Sequence, residues 1–178
     1  TSILIDDRPS SFRFPRGSGS EINIEENLSA LEIGKGRILQ EGNIIALINF
    51  GARLEACQEA LEFLSRKGFK ITLVDARFAK PLDEDLMDDI LDNHKYVLTI
   101  EEGSIGGFSS IVLDYIHNKR KKNTLSVVKN LVFPDIFIDH NSPENQYKEI
   151  GMDAESIEKK ILSIITSKDI DLKKIKNI

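Results

Sequence analysis

The chain has 178 residues, 40% of them hydrophobic and 30% charged, with a formal net charge of −5 and a sequence pI of about 5.3. That length allows one domain with a real hydrophobic core, or one domain plus a fragment of another. The acidic balance does not build the basic face that nucleic-acid binding needs, and no apolar run approaches the ~18 residues of a membrane span.

The elements follow in chain order. Residues 1–30 mix Pro9, Ser10 and Ser11 with Gly17-Ser18-Gly19-Ser20 and the acidic Glu21–Glu26, the composition of an extended linker. Ile33–Gly42 alternates and carries glycines at its corners, which predicts a short strand and a turn. Asn43–Phe50 is a nearly continuous apolar run, as in a strand buried on both faces. Leu54, Cys57, Leu61 and Leu64 recur at helical spacing, and Gly68 stands where a C-terminal cap belongs. Ile71–Val74 is the next strand. A second helix follows Pro81, with Leu82, Leu86, Ile90 and Leu91 on its apolar stripe.

Tyr96–Ile100 reads as a third strand ending in Glu101-Glu102-Gly103, and Ile105, Phe108, Val112 and Ile116 mark a third helix. Thr124–Phe133 holds a further strand. Ser142-Pro143-Glu144 is an N-cap with proline at the first helical position. A last helix starts at about Asp153, and the lysine-rich end, 168–178, reads as a frayed tail. Strands alternating with helices predict an α/β fold with right-handed crossovers. Four strands run in parallel order, with one at the front whose antiparallel pairing is left open.

Candidate chemistry is sparse. Arg13 and Arg16 flank Phe14-Pro15 and precede Gly17. A guanidinium beside a stiff turn suits a phosphate, because its planar fork of donors matches phosphate oxygens. The turn Gly103–Gly107 lies between a strand and a helix, where amide groups can face a phosphate, or where backbone simply packs closely. Glu101 and Glu102 end a strand and point to opposite faces, so only one can face a crevice at the sheet edge. Capping of the next helix competes there with catalysis. His94, His117 and His140 lack metal-ligand spacing. His94 follows a helix, a position that suits an imidazolium. Cys57 falls on an apolar stripe and reads as core. As the only cysteine it forms no internal disulfide, and the chain reads as cytosolic or organellar rather than secreted. Lys119–Lys122 reads as a solvated loop. With no initiator Met and no signal peptide, the start at Thr1-Ser2-Ile3-Leu4 reads as a piece of something longer.

Several strings together resemble the 1-deoxy-D-xylulose-5-phosphate synthase family. They are Asp7-x-Pro9-Ser10-Ser11-x-Arg13-Phe14-Pro15-Arg16-Gly17, Ile33-Gly34-Lys35-Gly36, Asn49-Phe50-Gly51 and the long Val74–Asp83 (VDARFAKPLD). Thr99–Gly103, Gly106-Gly107-Phe108, Phe133-Pro134-Asp135 and Gly151–Ala154 continue the order. The resemblance implies a transketolase-like, three-domain homodimer that uses thiamine diphosphate and Mg²⁺. Such an enzyme condenses pyruvate with glyceraldehyde 3-phosphate, releases CO₂ and feeds isoprenoid and thiamine biosynthesis.

It further implies that 1–30 is the end of the middle, pyrimidine-binding domain with its exit linker. Residues 31–167 would be a three-layer transketolase C-terminal domain, a mostly parallel five-stranded sheet with helices on both faces, and 168–178 a tail. The family's diphosphate and metal motif and its activating glutamate lie in other domains, so no catalytic, cofactor or metal residue is expected here. The chain alone is expected to be inactive; in the whole enzyme it is expected to be structural and dimer-forming, without nucleic-acid or membrane partners. By resemblance Arg16 contacts the acceptor's phosphate, with Arg13 the weaker candidate; the family usually has Tyr at Phe14. The implied location is the bacterial cytoplasm or a plastid-type organelle. The competing readings are the equivalent domain of a transketolase or of a 2-oxo-acid dehydrogenase β subunit, and a freestanding anion- or nucleotide-binding module.

Overall fold

The computed structural model describes residues 1–11 and 29–166. The chain divides into two compact units, Thr1–Ile33 and Gly34–Ile178. In the first, Ser2–Leu4 forms a 3₁₀ turn, and Thr1 Oγ1 accepts a hydrogen bond from Leu31 N at 2.7 Å.

The second unit holds a five-stranded sheet. Its strands are β1 (Arg37–Gln40), β2 (Ile45–Phe50), β3 (Thr72–Asp75), β4 (Tyr96–Glu101) and β5 (Val127–Leu131), in the order β1-β3-β2-β4-β5. β1 pairs antiparallel with β3, and the other pairs are parallel. The helices are α1 (Leu54–Arg66), α2 (Glu84–Asn93), α3 (Phe108–Asp114), α4 (Pro143–Glu149) and α5 (Ala154–Ile165).

Alternation in β2 sorts the core into two layers, because successive strand side chains face opposite sides. Ile45 and Leu47 pack with α1 and α5 through Leu61, Leu64, Ile157 and Ile161. Ala46 and Ile48 pack with α2 and α3 through Met87, Ile90, Phe108 and Val112. Cys57 belongs to the first layer and is fully buried, as its place on the helical stripe predicts; burial pushes its thiol up to about 12. The expected α/β architecture, with helices on both faces of a mostly parallel sheet, is what the chain adopts.

Helix ends follow local chemistry. After α1, Gly68 adopts φ +84° and donates to Ser65 O, while Phe69 N reaches Leu64 O. That pair of bonds is the Schellman closure, and a left-handed residue there favours glycine. Ser142 Oγ accepts from Asn145 N at the start of α4, with Pro143 in the first turn.

Two helix starts differ from the sequence expectation. The second begins at Glu84, not at Leu82, because the Asp83 carboxylate accepts from Leu86 N and fixes the N-cap one residue later. The third begins at Phe108; Ile105 is 80% exposed in the preceding turn, although its spacing fits the apolar stripe. α3 then widens into a π-turn over Tyr115–Lys119, closed by Arg120 N to Tyr115 O.

Candidate functional site

In an open parallel sheet, ligands gather outside the carboxyl ends of the strands, where the strand order reverses. Here that point lies between β2 and β4. Three features occupy this edge.

The first is Glu101, the last residue of β4, which is buried. Its Oε2 accepts from Phe108 N at 2.7 Å and its Oε1 from Ser109 N at 2.8 Å. The amide groups that a phosphate would need at the head of α3 are therefore spent on a carboxylate of this chain. Gly103–Gly107 is a tight turn leading into that cap, which favours the reading in which backbone simply packs closely there. Capping is what Glu101 does. Glu102 points the other way and is exposed, as pleating requires.

The second is a cluster of Glu102, Tyr147 and Arg53. The Tyr147 hydroxyl bonds Glu102 Oε1, and the Arg53 guanidinium lies over the Tyr147 ring, 3.5 Å from its centroid. Burial and Glu102 raise the Tyr147 phenol above its ordinary range. Sequence reasoning missed Arg53 and Tyr147, because they are 94 positions apart in number and only the α1–α4 arrangement joins them.

The third is the joint between two of the resembling strings. Gly36 N donates to Asp83 Oδ2 at 3.0 Å, and the Lys35 ammonium bonds Asp83 at 3.2 Å and Asp85 at 3.0 Å. Asp85 first and Asp83 second hold that ammonium above its ordinary range. Asn49, from the shortest string, is fully buried; its Nδ2 donates to Gly51 O at 3.0 Å, and its carbonyl accepts from Ala76 N at 2.9 Å. These strings hold the edge together.

Elsewhere, a cleft of about 450 Å³ is lined by Lys80, Leu82, Glu84, Ser110, Asp114 and Tyr115, among others. Its charges are of both signs, and the Tyr115 hydroxyl is engaged by Asp88 at 2.8 Å. His94 does follow a helix, as the C-cap of α2. It is buried, with Nδ1 3.0 Å from Ile90 O and Nε2 2.7 Å from Thr72 Oγ1. Nor is the basic run 119–122 merely solvated: the Arg120 side chain is fully buried and pairs with Asp88 and Asp92.

Arg13 and Arg16, the phosphate-binding candidates, lie outside the described residues, as do Phe14 and the lysine-rich tail. Among the described residues no group of three or more His, Cys, Asp or Glu is placed to hold a metal ion. The described residues do not fit thiamine diphosphate: the helix-head amides nearest the switch point already hold Glu101, and no acidic set stands by to bind a diphosphate's metal. No step through that cofactor is derived from them.

The family model described as transketolase, C-terminal domain matches residues 34–157. Solved structures similar to the chain include a split-gene transketolase described as an inactive β4 tetramer, at 24% identity and a TM-score of 0.66. The match covers 76% of this chain and 44% of that one. A transketolase from Campylobacter jejuni subsp. jejuni NCTC 11168 is 14% identical with a TM-score of 0.53, over 73% of this chain and 18% of that one. A transketolase mutant from Pichia stipitis, described in complex with xylulose 5-phosphate, is 17% identical with a TM-score of 0.55, over 78% and 19%. Identities this low establish a shared fold alone. The chain spans less than half the length of each of these proteins.

Proposed function

We propose, for a chain that belongs to the transketolase C-terminal domain family, that it is the last domain of a 1-deoxy-D-xylulose-5-phosphate synthase. The whole enzyme condenses pyruvate with glyceraldehyde 3-phosphate and releases CO₂, using thiamine diphosphate and Mg²⁺ held by its other domains. Residues 1–30 are the exit from the middle domain, 31–167 the C-terminal domain and 168–178 its tail. The domain's task is structural: it completes the enzyme and helps form the homodimer, in a bacterial cytoplasm or a plastid-type organelle. Arg16, with Arg13 beside it, holds the phosphate of the acceptor aldehyde.

The observation that carries this reading is the joint of Lys35 and Gly36 with Asp83. Two strings that resemble the synthase, about forty residues apart, meet through Gly36, Lys35 and Asp83. The two strings are therefore joined in space and are not scattered segments. Exposed Ile105, Ile136 and Phe137 on the loops after β4 and β5 support docking against further protein.

The family's own name and the solved neighbours favour a second reading, a transketolase proper. The deciding experiment uses the full-length protein with thiamine diphosphate and Mg²⁺. Pyruvate-dependent CO₂ release with glyceraldehyde 3-phosphate is the expected result. Two-carbon transfer from xylulose 5-phosphate, without turnover of pyruvate, would establish the transketolase reading instead. The 178-residue chain alone should neither turn over nor bind thiamine diphosphate in calorimetry. Micromolar cofactor binding by it would refute the structural role.

A further inference from the structure

We propose that Arg37 and Arg77, both held by Asp75 at the carboxyl end of β3, form a binding site for a phosphate group. This inference does not depend on the synthase reading or on any role of Arg13 and Arg16.

The antiparallel register of β1 on β3 sets Arg37 directly opposite Asp75. Arg37 Nε donates to Asp75 Oδ2 at 3.1 Å, and Arg77 Nε lies 3.5 Å from the same oxygen. One carboxylate oxygen thus gathers two guanidinium groups, and the trio carries a formal charge of +1. Each arginine engages Asp75 through Nε. Among the described residues, the terminal amino groups of both forks form no hydrogen bond. The neighbouring cation, Lys35, is engaged by Asp83 and Asp85.

Backbone geometry points the same way. Arg77 has φ +57°, the left-handed region that favours glycine. Holding a side-chain-bearing residue there is unfavourable. The chain bears that cost at a residue whose guanidinium is turned onto Asp75. The Arg77 side chain is only 23% exposed, so its charge is partly withdrawn from water and an added anion is screened less there than at an open surface.

The arrangement selects the ligand class. A carboxylate has two oxygens and is filled by one fork, whereas a phosphate has enough oxygens to engage two. Asp75 opposes an incoming anion with one charge, and the two arginines attract it with two.

The test is a titration of the whole chain at fixed ionic strength, following the arginine Nε–Hε resonances. The probes are inorganic phosphate and glycerol 3-phosphate, with chloride as the control. Both phosphates should shift the Arg37 and Arg77 signals saturably, and chloride should not. Tighter binding of the ester would assign the site to a phosphorylated small molecule; equal binding would assign it to free phosphate. Arg77→Gly removes the fork while relieving the backbone, so the fold is kept; binding should weaken at least about tenfold, as for loss of one charge-assisted contact. Arg37→Ala, at a half-exposed position, should weaken it similarly. Arg77→Lys should restore part of the affinity, since a point charge lacks the fork. Linear shifts identical in phosphate and chloride, or unchanged phosphate binding by Arg77→Gly, would overturn the proposal.

Discussion

The carboxylate of Glu101 fills the space in which a Cβ on Gly107 would sit. Gly107 has φ −85° and ψ −143°, so the demand for glycine there does not come from a positive φ, and the closeness of Glu101 leaves no room for a side chain. The buried carboxylate reaches the amides of Phe108 and Ser109 only because residue 107 has no side chain.

Gly107→Ala should therefore expel Glu101 from the head of α3. Losing two hydrogen bonds to a buried carboxylate should cost about 2–4 kcal/mol. Urea denaturation reads this directly. A change within ~0.5 kcal/mol, the range of an ordinary surface substitution, would show that α3 does not depend on the cap. Glu101→Gln should cost less than Gly107→Ala, since the amide keeps one acceptor in place.

How much of this was legible in the sequence depends on range. β2 and α1 were readable because their apolar residues recur with a local period, and Gly68 and Ser142-Pro143 mark helix ends by chemistry within a few residues. Ile105 misled because helical spacing continues backwards through a turn; the Glu101 cap, seven residues upstream of Phe108, decides where the helix starts. Arg120 read as part of a basic run because its partners, Asp88 and Asp92, lie about thirty residues away on α2. Arg37 and Arg77 meet only through the β1–β3 register, which no local pattern encodes.

Thr72 and His94 form a closed relay. Thr72 Oγ1 accepts from Gly42 N at 2.9 Å and lies 2.7 Å from His94 Nε2. With the His94 proton placed on Nδ1 toward Ile90 O, the threonine hydroxyl donates to Nε2 and every group is satisfied. Thr72→Val keeps the shape but strands both partners, and should cost ~1–3 kcal/mol. Thr72→Ser should recover most of that. Equal losses for Val and Ser would assign the effect to packing of the methyl group.

Arg120 ties the end of the π-turn to α2, and its effect should depend on pH. For Asp88, burial works to raise the carboxyl, but the Arg120 and Tyr115 hydrogen bonds outweigh it and hold the group below its ordinary range. For Asp92, the Lys122 ammonium is the leading cause of lowering, with Arg120 adding to it. Folded values below the unfolded ones contribute stability above about pH 4, which is lost as pH falls through the folded values. Arg120→Met should then destabilise at pH 7 by at most ~1–2 kcal/mol, because the Asp88 and Asp92 side chains are 37% and 38% exposed and solvent screens them. At pH 3 the gap between wild type and variant should narrow. Equal gaps at both pH values, measured by urea midpoints, would mean that Arg120 acts through its packed stem and not its charge.

If the full-length protein is the proposed synthase, Arg16→Ala in it should weaken use of the phosphorylated acceptor far more than binding of pyruvate. An arginine–phosphate contact is charge-assisted, and no neutral group replaces it. The expected loss in transition-state stabilisation is on the order of 2–4 kcal/mol, the typical result of deleting one partner of a charged hydrogen bond. Arg16→Lys should recover only part of it, because an ammonium lacks the planar fork. Steady-state kinetics with glyceraldehyde and glyceraldehyde 3-phosphate as rival acceptors separates this role from a structural one. A phosphate contact lowers kcat/KM for the phosphorylated acceptor and leaves the unphosphorylated one nearly untouched. If Arg16→Ala instead lowers both acceptors equally while thermal stability falls, Arg16 pins the linker and does not hold the phosphate.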